Sequence, residues 1–465
     1  MLLWAMFAVL AGGDDSTPAA EDSHPSVSQQ QRPKEIHTSL PPANEVPSPL
    51  PDVALPATAT RRIAPPIPAV PEPTASGSFD GVPYAGTLRL PSTPLPPPKM
   101  ADPAAECPTK YVFVNTHTFG RHHNQLQEFL NIAVWAKRFG RTAILGWFRH
   151  NHKWMDPSEL YDLSDIMQHY CLITPAEFQK RNGGAKVDAI CFGQGIADTP
   201  LKRYGKIKCS MSKDVGAHYN VRHGMNITEG FLPKLLEAKE TMMVLSGEIG
   251  FFLRCGLESY AAIYSLLQPA KEIADEVEAF LRRALWDDSH GGPKPYFGLH
   301  LRQREKDCLK EVYESFEDGV MDLASVNADE RTVIKTQCAM TVAHVAALQQ
   351  SLGFVPKGNT LDGAMFLASD HENMVLENSL VAAGAIMYKG GKFHTKELGG
   401  MKGLAVDFFV LTRGKYFTGN QLSSVSQNVC YIRLGRGEAC HGFVPSFSEY
   451  HARSLDSKMR KRLFL

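Results

Sequence analysis

The chain has 465 residues, of which 43% are hydrophobic, and its 49 Lys and Arg residues balance 49 Asp and Glu residues. This length and apolar content are enough for two or three domains with sizeable cores. The balanced charge argues against a nucleic acid or an anionic membrane surface as partner, because both need a net basic face. Any anion site must therefore be local.

The N-terminus combines a short apolar run with a long proline-rich stretch. Residues 2–11 are apolar over only about half the length that a helix needs to span a bilayer. Residues 1–13 are therefore predicted to be a signal peptide or a short membrane anchor, with a plain N-terminal tail as the alternative. Residues 14–106 are rich in Pro, Ala, Ser and Thr and predict a disordered stem. Such a stem is typical of a tethered luminal enzyme, and a simple linker is the alternative.

The nine cysteines contain no Cys-x-x-Cys pair, so their spacing gives no case for a zinc or redox site. Disulfide bonds in the secretory lumen, either the endoplasmic reticulum or the Golgi, are the better interpretation. The odd count requires at least one thiol that is free or paired with another chain. Asn226 begins the single Asn-x-Ser/Thr acceptor for glycosylation, which fits the same compartment.

Folded character begins with a domain that is predicted to cover residues 107–290. KYVFVN (110–115) has the pattern of a buried strand, a Gly-containing loop leads into an apolar helix at 124–140, and TAILG (142–146) is the next strand. Strand, loop, helix and strand in this order predict a βαβ unit and hence a parallel sheet. The stretch 147–240 is less regular.

The second half repeats the alternation of strands and helices. A strongly amphipathic helix is predicted at 269–285, and the apolar strand 296–302 opens a second domain that is predicted to cover 291–465. Other strands and helices are predicted at 242–247, 364–370, 385–388, 402–414, 415–420 and 423–432. The sequence therefore predicts two α/β domains that meet near residues 285–295.

Charged residues follow the strand YFGLHLR at its carboxyl end. His300, Arg302 and Arg304 stand there beside Glu305 and Asp307. Open α/β sheets bind ligands at the carboxyl ends of their strands, and the planar fork of an arginine matches phosphate oxygens. We interpret this segment as an anion site, with a charged surface loop as the alternative.

Two strand-to-helix loops have the composition of phosphate or sugar sites. The first runs from Gly120 to Gln125 (GRHHNQ), and the second runs from Gly419 to Ser426 (GNQLSSVS). Backbone amides and the helix dipole favour an anion at such positions. Ordinary helix caps, by Asn124 in the first loop and by a serine in the second, are the alternative.

Four motifs in this order resemble those of the GDP-fucose-dependent fucosyltransferases, particularly the protein O-fucosyltransferase family. They are GRHHNQ with AKRFGRTAILG after it, HLR (300–302), FLASD (366–370) and DFFVLTRGKYFTGNQLSSVS (407–426). The resemblance implies a GT-B fold, in which two Rossmann-like domains face a cleft that holds the donor. It also implies an inverting transfer of fucose from GDP-fucose to a hydroxyl of a protein Ser/Thr or of a glycan acceptor.

The resemblance implies roles for individual residues. Arg302 would hold the diphosphate and stabilise the GDP leaving group, while Ser423 and Ser424 would donate to the β-phosphate. Arg121 and Asn124 would reach the donor and the acceptor side, with Arg302 and Asn124 as the catalytic residues. The residues expected to bind GDP-fucose are Gly120, Arg121, His122, His123, Asn124, His300, Arg302, Asp370, Asp407, Ser423 and Ser424.

Within this set, His300, Asp370 and Asp407 would shape the guanosine pocket. No Asp-x-Asp triplet occurs in the chain. We therefore expect neither a metal nor a cofactor, and the charge on GDP would be met by Arg302 and by helix N-termini.

The first motif departs from the family pattern, because His122 and His123 replace a Phe-Gly pair. The change adds bulk and titratable groups, and it motivates the alternative of a catalytically silent member that binds a nucleotide sugar or a glycan. A glycosyltransferase that uses a different nucleotide sugar is another alternative. The general base is open, with His122, His123, Glu128 and Glu305 as candidates.

Overall fold

The computed structural model describes residues 78–79, 82–83, 87–115, 122–150, 153–192, 207–211, 232–233, 235–289, 291–302, 328–353, 364–389, 392–393, 398–445 and 448. The predicted signal peptide or anchor at 1–13 and the larger part of the predicted stem lie outside these residues. Within the described ranges, no helix is long and apolar enough to cross a bilayer.

The strands and the principal helices of the described part are numbered in chain order. The strands are β1 (Ser78–Phe79), β2 (Val82–Pro83), β3 (Thr87–Leu88), β4 (Tyr111–Asn115), β5 (Thr142–Ile144), β6 (Phe148–His150), β7 (Lys153–Met155), β8 (Tyr161–Asp162), β9 (Leu172–Ile173), β10 (Val187–Phe192), β11 (Ile207–Met211), β12 (Met242–Ser246), β13 (Gln268–Pro269), β14 (Trp286–Asp287), β15 (Gly292–Pro293), β16 (Tyr296–Leu301), β17 (Ala364–Ser369), β18 (Ala385–Ile386), β19 (Tyr416–Gly419) and β20 (Cys440–His441). The helices are α1 (Pro103–Glu106), α2 (His122–Ala136), α3 (Ser164–His169), α4 (Pro175–Asn182), α5 (Gly247–Phe252), α6 (Leu257–Tyr264), α7 (Lys271–Ala284), α8 (Ala328–Cys338), α9 (Val342–Ser351), α10 (Met374–Ala382), α11 (Leu398–Arg413) and α12 (Ser424–Gly435).

A six-stranded parallel sheet, in the order β11-β10-β12-β4-β5-β9, forms the core of the first half. Strand β4, helix α2 and strand β5 make the βαβ unit that the sequence predicts. Val112 and Val114 of β4 belong to the apolar cluster on one face of the sheet, and Tyr111 and Phe113 belong to the cluster on the other face. Both faces are covered, which explains why KYVFVN is an unbroken apolar run.

A four-stranded parallel sheet, in the order β18-β17-β16-β19, forms the core of the second half. The central strand β16 is buried at every position. In its pairing with the neighbouring strands, Leu301 lies opposite Ser369 and His300 lies opposite Gly419. Two parallel α/β sheets confirm the predicted fold class, the GT-B arrangement, and they place the carboxyl ends of β17, β16 and β19 side by side.

The two halves pack directly against each other, and the described residues belong to one compact unit. Helix α12 packs against α6 and α2, while α7 packs against α11. The α6–α12 contact requires glycine at position 435, because a Cβ there would collide with the carbonyl oxygen of Ala261. The largest apolar cluster therefore contains side chains from both halves.

The end of the predicted stem is folded, contrary to the expectation of disorder up to residue 106. Strand β3 pairs with β20 of the second half, and Leu88 is buried. Further along, the amide of Met100 donates to the carbonyl of Gln168 at 2.9 Å in the first half. The proline-rich composition indicates only that this segment builds no core of its own. The partners that order residues 87–106 come from the two α/β halves.

Disulfide bonds are present, as the sequence analysis expected. Cys107 pairs with Cys171, and Cys430 pairs with Cys440. Two other cysteines of the described part, Cys191 and Cys338, are also disulfide-bonded. Cys255 is buried with a free thiol, which accounts for the odd count.

Candidate active site

Three neighbouring parallel strands of the second sheet deliver polar residues to one edge. Strands β17, β16 and β19 are followed by Asp370, Arg302 and Asn420. The amide of Asp370 donates to the carbonyl of Leu301 at 3.3 Å, and the side-chain amide of Asn420 donates to the carbonyl of Arg302 at 3.0 Å. These hydrogen bonds hold the three residues in fixed relative positions at the edge where open α/β sheets bind their ligands.

Arg302 and Asp370 face each other at this edge. Nε of Arg302 lies 4.0 Å from Oδ2 of Asp370, and the two side chains are 27% and 6% exposed. Oδ1 of Asp370 accepts a hydrogen bond from the amide of Glu372 at 3.3 Å, whereas the buried Oδ2 has no hydrogen-bond partner among the described residues. The pair therefore offers a ligand a cation and, beside it, an acceptor whose hydrogen bond is unmade.

Helix α12 begins at the same edge. Asn420 builds the preceding turn, in which its Oδ1 accepts from the amide of Leu422 and its carbonyl accepts from the amide of Ser423, both at 2.9 Å. Ser423 is the N-cap residue, but its hydroxyl caps no backbone amide of the helix, and its buried Oγ has no hydrogen-bond partner in the part of the chain that the structure describes. Ser424 opens the helix and is half-buried. The positive end of the helix dipole and an available hydroxyl thus lie next to Arg302.

His300 connects β16 to helix α12. Its ring Nδ1 lies 2.7 Å from Oγ of Ser426, and both side chains are buried. Gly419 permits this approach, because a Cβ there would lie 2.6 Å from Oγ of Ser426 and 3.2 Å from Cβ of His300. His300 therefore holds the first turn of α12 against the strand that carries Arg302.

Helix α2 brings the first motif to the boundary between the two halves. His122 and His123 are each 1% exposed, and their ring centroids lie 4.3 Å apart. The ring of His122 lies 5.6 Å from that of Phe148, and the ring of His123 lies 4.6 Å from that of Phe408 in α11. Burial, and then the charges of His122 and His300, lower the pKa of His123 well below its usual value. His123 is therefore a neutral ring packed between the halves.

A buried polar seam joins α2, α6 and α12 beside this histidine pair. Oδ1 of Asn428 accepts hydrogen bonds from Nε2 of Gln127 at 2.7 Å and from the hydroxyl of Tyr264 at 2.9 Å. The side-chain amide of Asn428 donates to the carbonyl of His123 at 3.1 Å. The seam fixes the start of α2 relative to α12, and so relative to Arg302.

A family model described as GDP-fucose protein O-fucosyltransferase matches residues 111–433, which is more than half of the chain and includes the four motifs. The chain belongs to the GDP-fucose protein O-fucosyltransferase family. The predicted family and the predicted class, a GDP-fucose-dependent fucosyltransferase, are thereby confirmed.

Solved structures of fucosyltransferases are also similar to this chain. The crystal structure of POFUT1 in complex with GDP-fucose is 17% identical, with 72% of this chain and 96% of that chain covered and a TM-score of 0.46. The apo form of POFUT1 is 16% identical, with 73% and 98% covered and a TM-score of 0.48. Fucosyltransferase NodZ from Bradyrhizobium is 13% identical, with 70% and 93% covered and a TM-score of 0.39. No curated protein matches the sequence significantly.

The first motif of this O-fucosyltransferase family member is only partly within the described residues. Gly120 and Arg121 lie outside them, as does the base candidate Glu305. Asn124 lies in the first turn of α2 and is half-buried, and Glu128, one turn further on, is buried.

Asp407, which the resemblance places in the guanosine pocket, lies on α11. Burial raises its pKa well above the usual range, which favours the protonated, neutral carboxyl. None of the hydrogen bonds or ion pairs found among the described residues joins it to Arg302 or Asp370. In the same part of the chain, no three His, Cys, Asp or Glu side chains come together as a metal site.

The sequence placed Asn420 and Ser426 in a candidate phosphate loop without assigning either an individual role, and Asn428 was missed. These three residues hold Arg302, His300 and the start of α2 through the contacts above. A signal was present, because GNQLSSVSQN places a dense polar run at the start of a helix that is otherwise apolar. Buried polar side chains in such a run need partners from neighbouring elements.

Proposed function

We propose that this family member transfers fucose from GDP-fucose to a hydroxyl group of a protein Ser/Thr or of a glycan, with inversion at the anomeric carbon. One arrangement carries the proposal: Arg302, Asp370 and the first turn of α12 follow adjacent strand ends of the second sheet. The edge brings together a cation, a buried carboxylate oxygen and helix-end donors. This is the chemistry that binds a nucleoside diphosphate.

The diphosphate is assigned to Arg302 and to the start of α12. Cleavage of the bond between fucose and the β-phosphate leaves additional negative charge on GDP. Cations and donors that are already in position stabilise that charge in the transition state and lower the barrier. The guanidinium of Arg302 and the hydroxyls of Ser423 and Ser424 would supply this stabilisation without a metal or a cofactor.

The guanosine is assigned to the other side of the same edge. None of the described residues donates a hydrogen bond to Oδ2 of Asp370, and the N–H groups of guanine would satisfy this acceptor. His300 would shape this pocket through its hold on Ser426. Asp407 is retained in the pocket on the strength of the family pattern.

The acceptor is assigned to the side of α2, where Asn124 lies in the first turn. Arg121 is assigned to the acceptor on the strength of the family motif alone. Inversion requires the acceptor oxygen to attack the anomeric carbon from the face opposite to GDP. A base that takes its proton must be able to reach it. His123 is poorly suited to that role, because its ring is buried, its pKa is lowered, and its Nδ1 lies 3.2 Å from the side-chain amide of Asn428.

We also propose that the protein works in the lumen of the endoplasmic reticulum or the Golgi, with the N-terminal segment as a possible membrane tether. The disulfides Cys107–Cys171 and Cys430–Cys440 support this compartment, because such bonds persist in oxidising environments.

Arg302 is the residue on which the proposal is most easily tested. We expect Arg302→Ala to reduce GDP release from GDP-fucose at least about 100-fold, as loss of a transition-state donor does, with the fold intact. Arg302→Lys keeps the charge without the fork and should retain intermediate activity. Arg283→Ala, which removes a 58% exposed arginine of α7 that is paired with the more buried Glu276, is the control. Near-normal turnover by folded Arg302→Ala would overturn the assignment.

The donor is tested in the same assay with GDP-fucose, GDP-mannose and UDP-sugars side by side. We expect release from GDP-fucose in clear preference to the others. A preference for another nucleotide sugar would leave the assignment as a glycosyltransferase in place and would show that GDP-fucose is not the donor.

A catalytically silent member is the second candidate, because His122 and His123 replace the Phe-Gly pair of the family motif. Both rings are buried against aromatic side chains between the halves. Packing thus accommodates the bulk of both rings, which favours an active transferase over the silent member. GDP binding by calorimetry without GDP release from any donor would instead favour the silent member.

A further inference from the structure

The turn after β17 contains the one described residue other than glycine whose backbone has a left-handed conformation. His371 has a φ of 62°, and every other positive φ in the described part belongs to glycine. A Cβ makes this conformation unfavourable, so it persists only where surrounding contacts impose it. The turn directly follows Asp370, the carboxylate at the candidate nucleotide site.

Glu377 of helix α10 supplies the contact that holds this turn. Its side chain is 0% exposed, with Oε2 at 2.7 Å from Nδ1 of His371 and Oε1 at 3.2 Å from Nζ of Lys389. Burial by itself raises the pKa of Glu377, but hydrogen bonds from Ser369, His371 and Lys389 lower it overall. The carboxylate is therefore charged and satisfied by several donors, which makes it a rigid anchor.

The anchored turn also sets the orientation of Asp370. The amide of His371 donates to Oγ of Ser369 at 3.0 Å, and the amide of Glu372 donates to Oδ1 of Asp370 at 3.3 Å. With Oδ1 engaged in this way, Oδ2 is turned towards Arg302. A left-handed residue at 371 is what brings the Glu372 amide back to the carboxylate.

We propose that Glu377 is a positioning residue for nucleotide binding. Through His371 it holds the left-handed turn that keeps the Asp370 carboxylate aimed at the nucleotide, without touching the nucleotide itself. The inference rests on the proposed function, since it takes Asp370 to bind the nucleoside. Residues that orient a ligand-binding side chain without touching the ligand can change the affinity about tenfold or more, as mutations of the residues that hydrogen-bond to metal ligands show.

GDP binding by isothermal titration tests this role with two pairs of variants. Glu377→Gln keeps the shape of the side chain and removes its charge, and we expect GDP affinity to fall about tenfold. At the half-exposed position 371, Ala has no anchor and resists a positive φ, whereas Asn tolerates that backbone and its amide can donate to Glu377. We expect His371→Ala to bind GDP about tenfold more weakly and His371→Asn to bind within about twofold of the parent chain.

Thermal unfolding of each variant separates positioning from a structural role. A structural role would lower the melting temperature and leave the GDP affinity of the folded protein unchanged. The inference is overturned if folded Glu377→Gln and His371→Ala bind GDP normally, or if His371→Asn is as weak as His371→Ala. Should Glu377→Gln not fold, the pair at position 371 decides the matter alone.

Asp370→Ala distinguishes failure of this inference from failure of the proposed function. If Asp370→Ala binds GDP normally, the assignment of Asp370 to the nucleoside is wrong, and the inference falls with it. If Asp370→Ala loses affinity while Glu377→Gln and His371→Ala do not, the positioning role alone is wrong.

Discussion

Helices α2 and α12 begin in similar sequence and in different surroundings. Each follows a parallel strand, and each has a glycine and an Asn-Gln pair at or just before its first turn. Helix α12 begins with Ser423, whose buried hydroxyl has no hydrogen-bond partner in the described part of the chain, at the sheet edge that carries Arg302. Helix α2 begins with His122 and His123, whose rings pack against Phe148 and Phe408.

The difference shows that a helix start becomes a ligand site only when its neighbours leave it available. The dipole and the free amides are common to both helices. At α12 the neighbour is the edge of a sheet with a partly exposed arginine, so an anion can complete the arrangement. At α2 the neighbour is helix α11 of the other half, so the start of α2 is part of the packed core between the two halves.

The largest expected effect concerns the interdomain core at α2. His123→Gly restores the glycine of the family motif and should lower the free energy of unfolding by about 3 kcal/mol, because ring packing is lost and Gly weakens the helix. His123→Phe keeps the bulk and should stay near the parent stability. Urea unfolding measures both, and equal stability of the glycine variant would show that His123 is not core.

A pH effect of intermediate size follows from the same burial. Burial, with the charges of Arg433 and Arg89, lowers the pKa of His441 to about 3, and the pKa of His123 is also well below 6.5. Below pH 6.5 these two histidines bind protons in the unfolded chain, whereas in the folded chain they stay neutral. The two histidines should therefore lower the stability between pH 7 and 5.5, each by up to about 1.4 kcal/mol per unit. The carboxyl of Asp407, protonated in the folded chain and charged in the unfolded one, offsets the effect of one histidine, so the net loss is smaller than the sum for the two.

The pH effect is measured by urea unfolding at several pH values in that window. His123→Phe removes one of the two groups and should reduce the slope accordingly. A slope that is unchanged in His123→Phe would mean that this ring is protonated in the folded protein and is not the neutral packing residue described above.

The smallest effect concerns the start of α12. Ser423→Ala should weaken GDP binding by about 1 kcal/mol, roughly fivefold, with stability unchanged, because its hydroxyl has no hydrogen-bond partner among the described residues. Ser426→Ala, three residues on, should instead cost stability, because it removes the hydrogen-bond partner of buried His300. If both serines affected only stability, the start of α12 would be core like that of α2.

Much of the fold was predictable where apolar runs are long. The strand 296–302 and the βαβ unit from residue 110 to 146 were found to within a few residues, since buried parallel strands are continuously apolar. Strands β6 to β11 were missed in the irregular stretch 147–240. They are short or mixed in burial, as in Val187–Phe192, where exposed Asp188 and half-buried Ile190 interrupt the buried positions.

Motif residues also differed in what the sequence could say about them. Arg141 belongs to the Arg-Thr string of the first motif, yet its buried guanidinium donates to the carbonyls of Tyr111, Glu240 and Ala238 and so stabilises the fold. Arg302 belongs to an equally short string and remains partly exposed at the ligand edge. Spacing alone does not separate these two uses of arginine.

The sequence by itself determined the two α/β halves, the family and the position of Arg302 at a strand end, because these follow from local periodicity and from short motifs. Only the tertiary structure decided which polar residues are satisfied by the protein and which are left for a ligand. The reason is that hydrogen-bond partners come from distant parts of the chain, such as Ser426 for His300 and Asn428 for the start of α2.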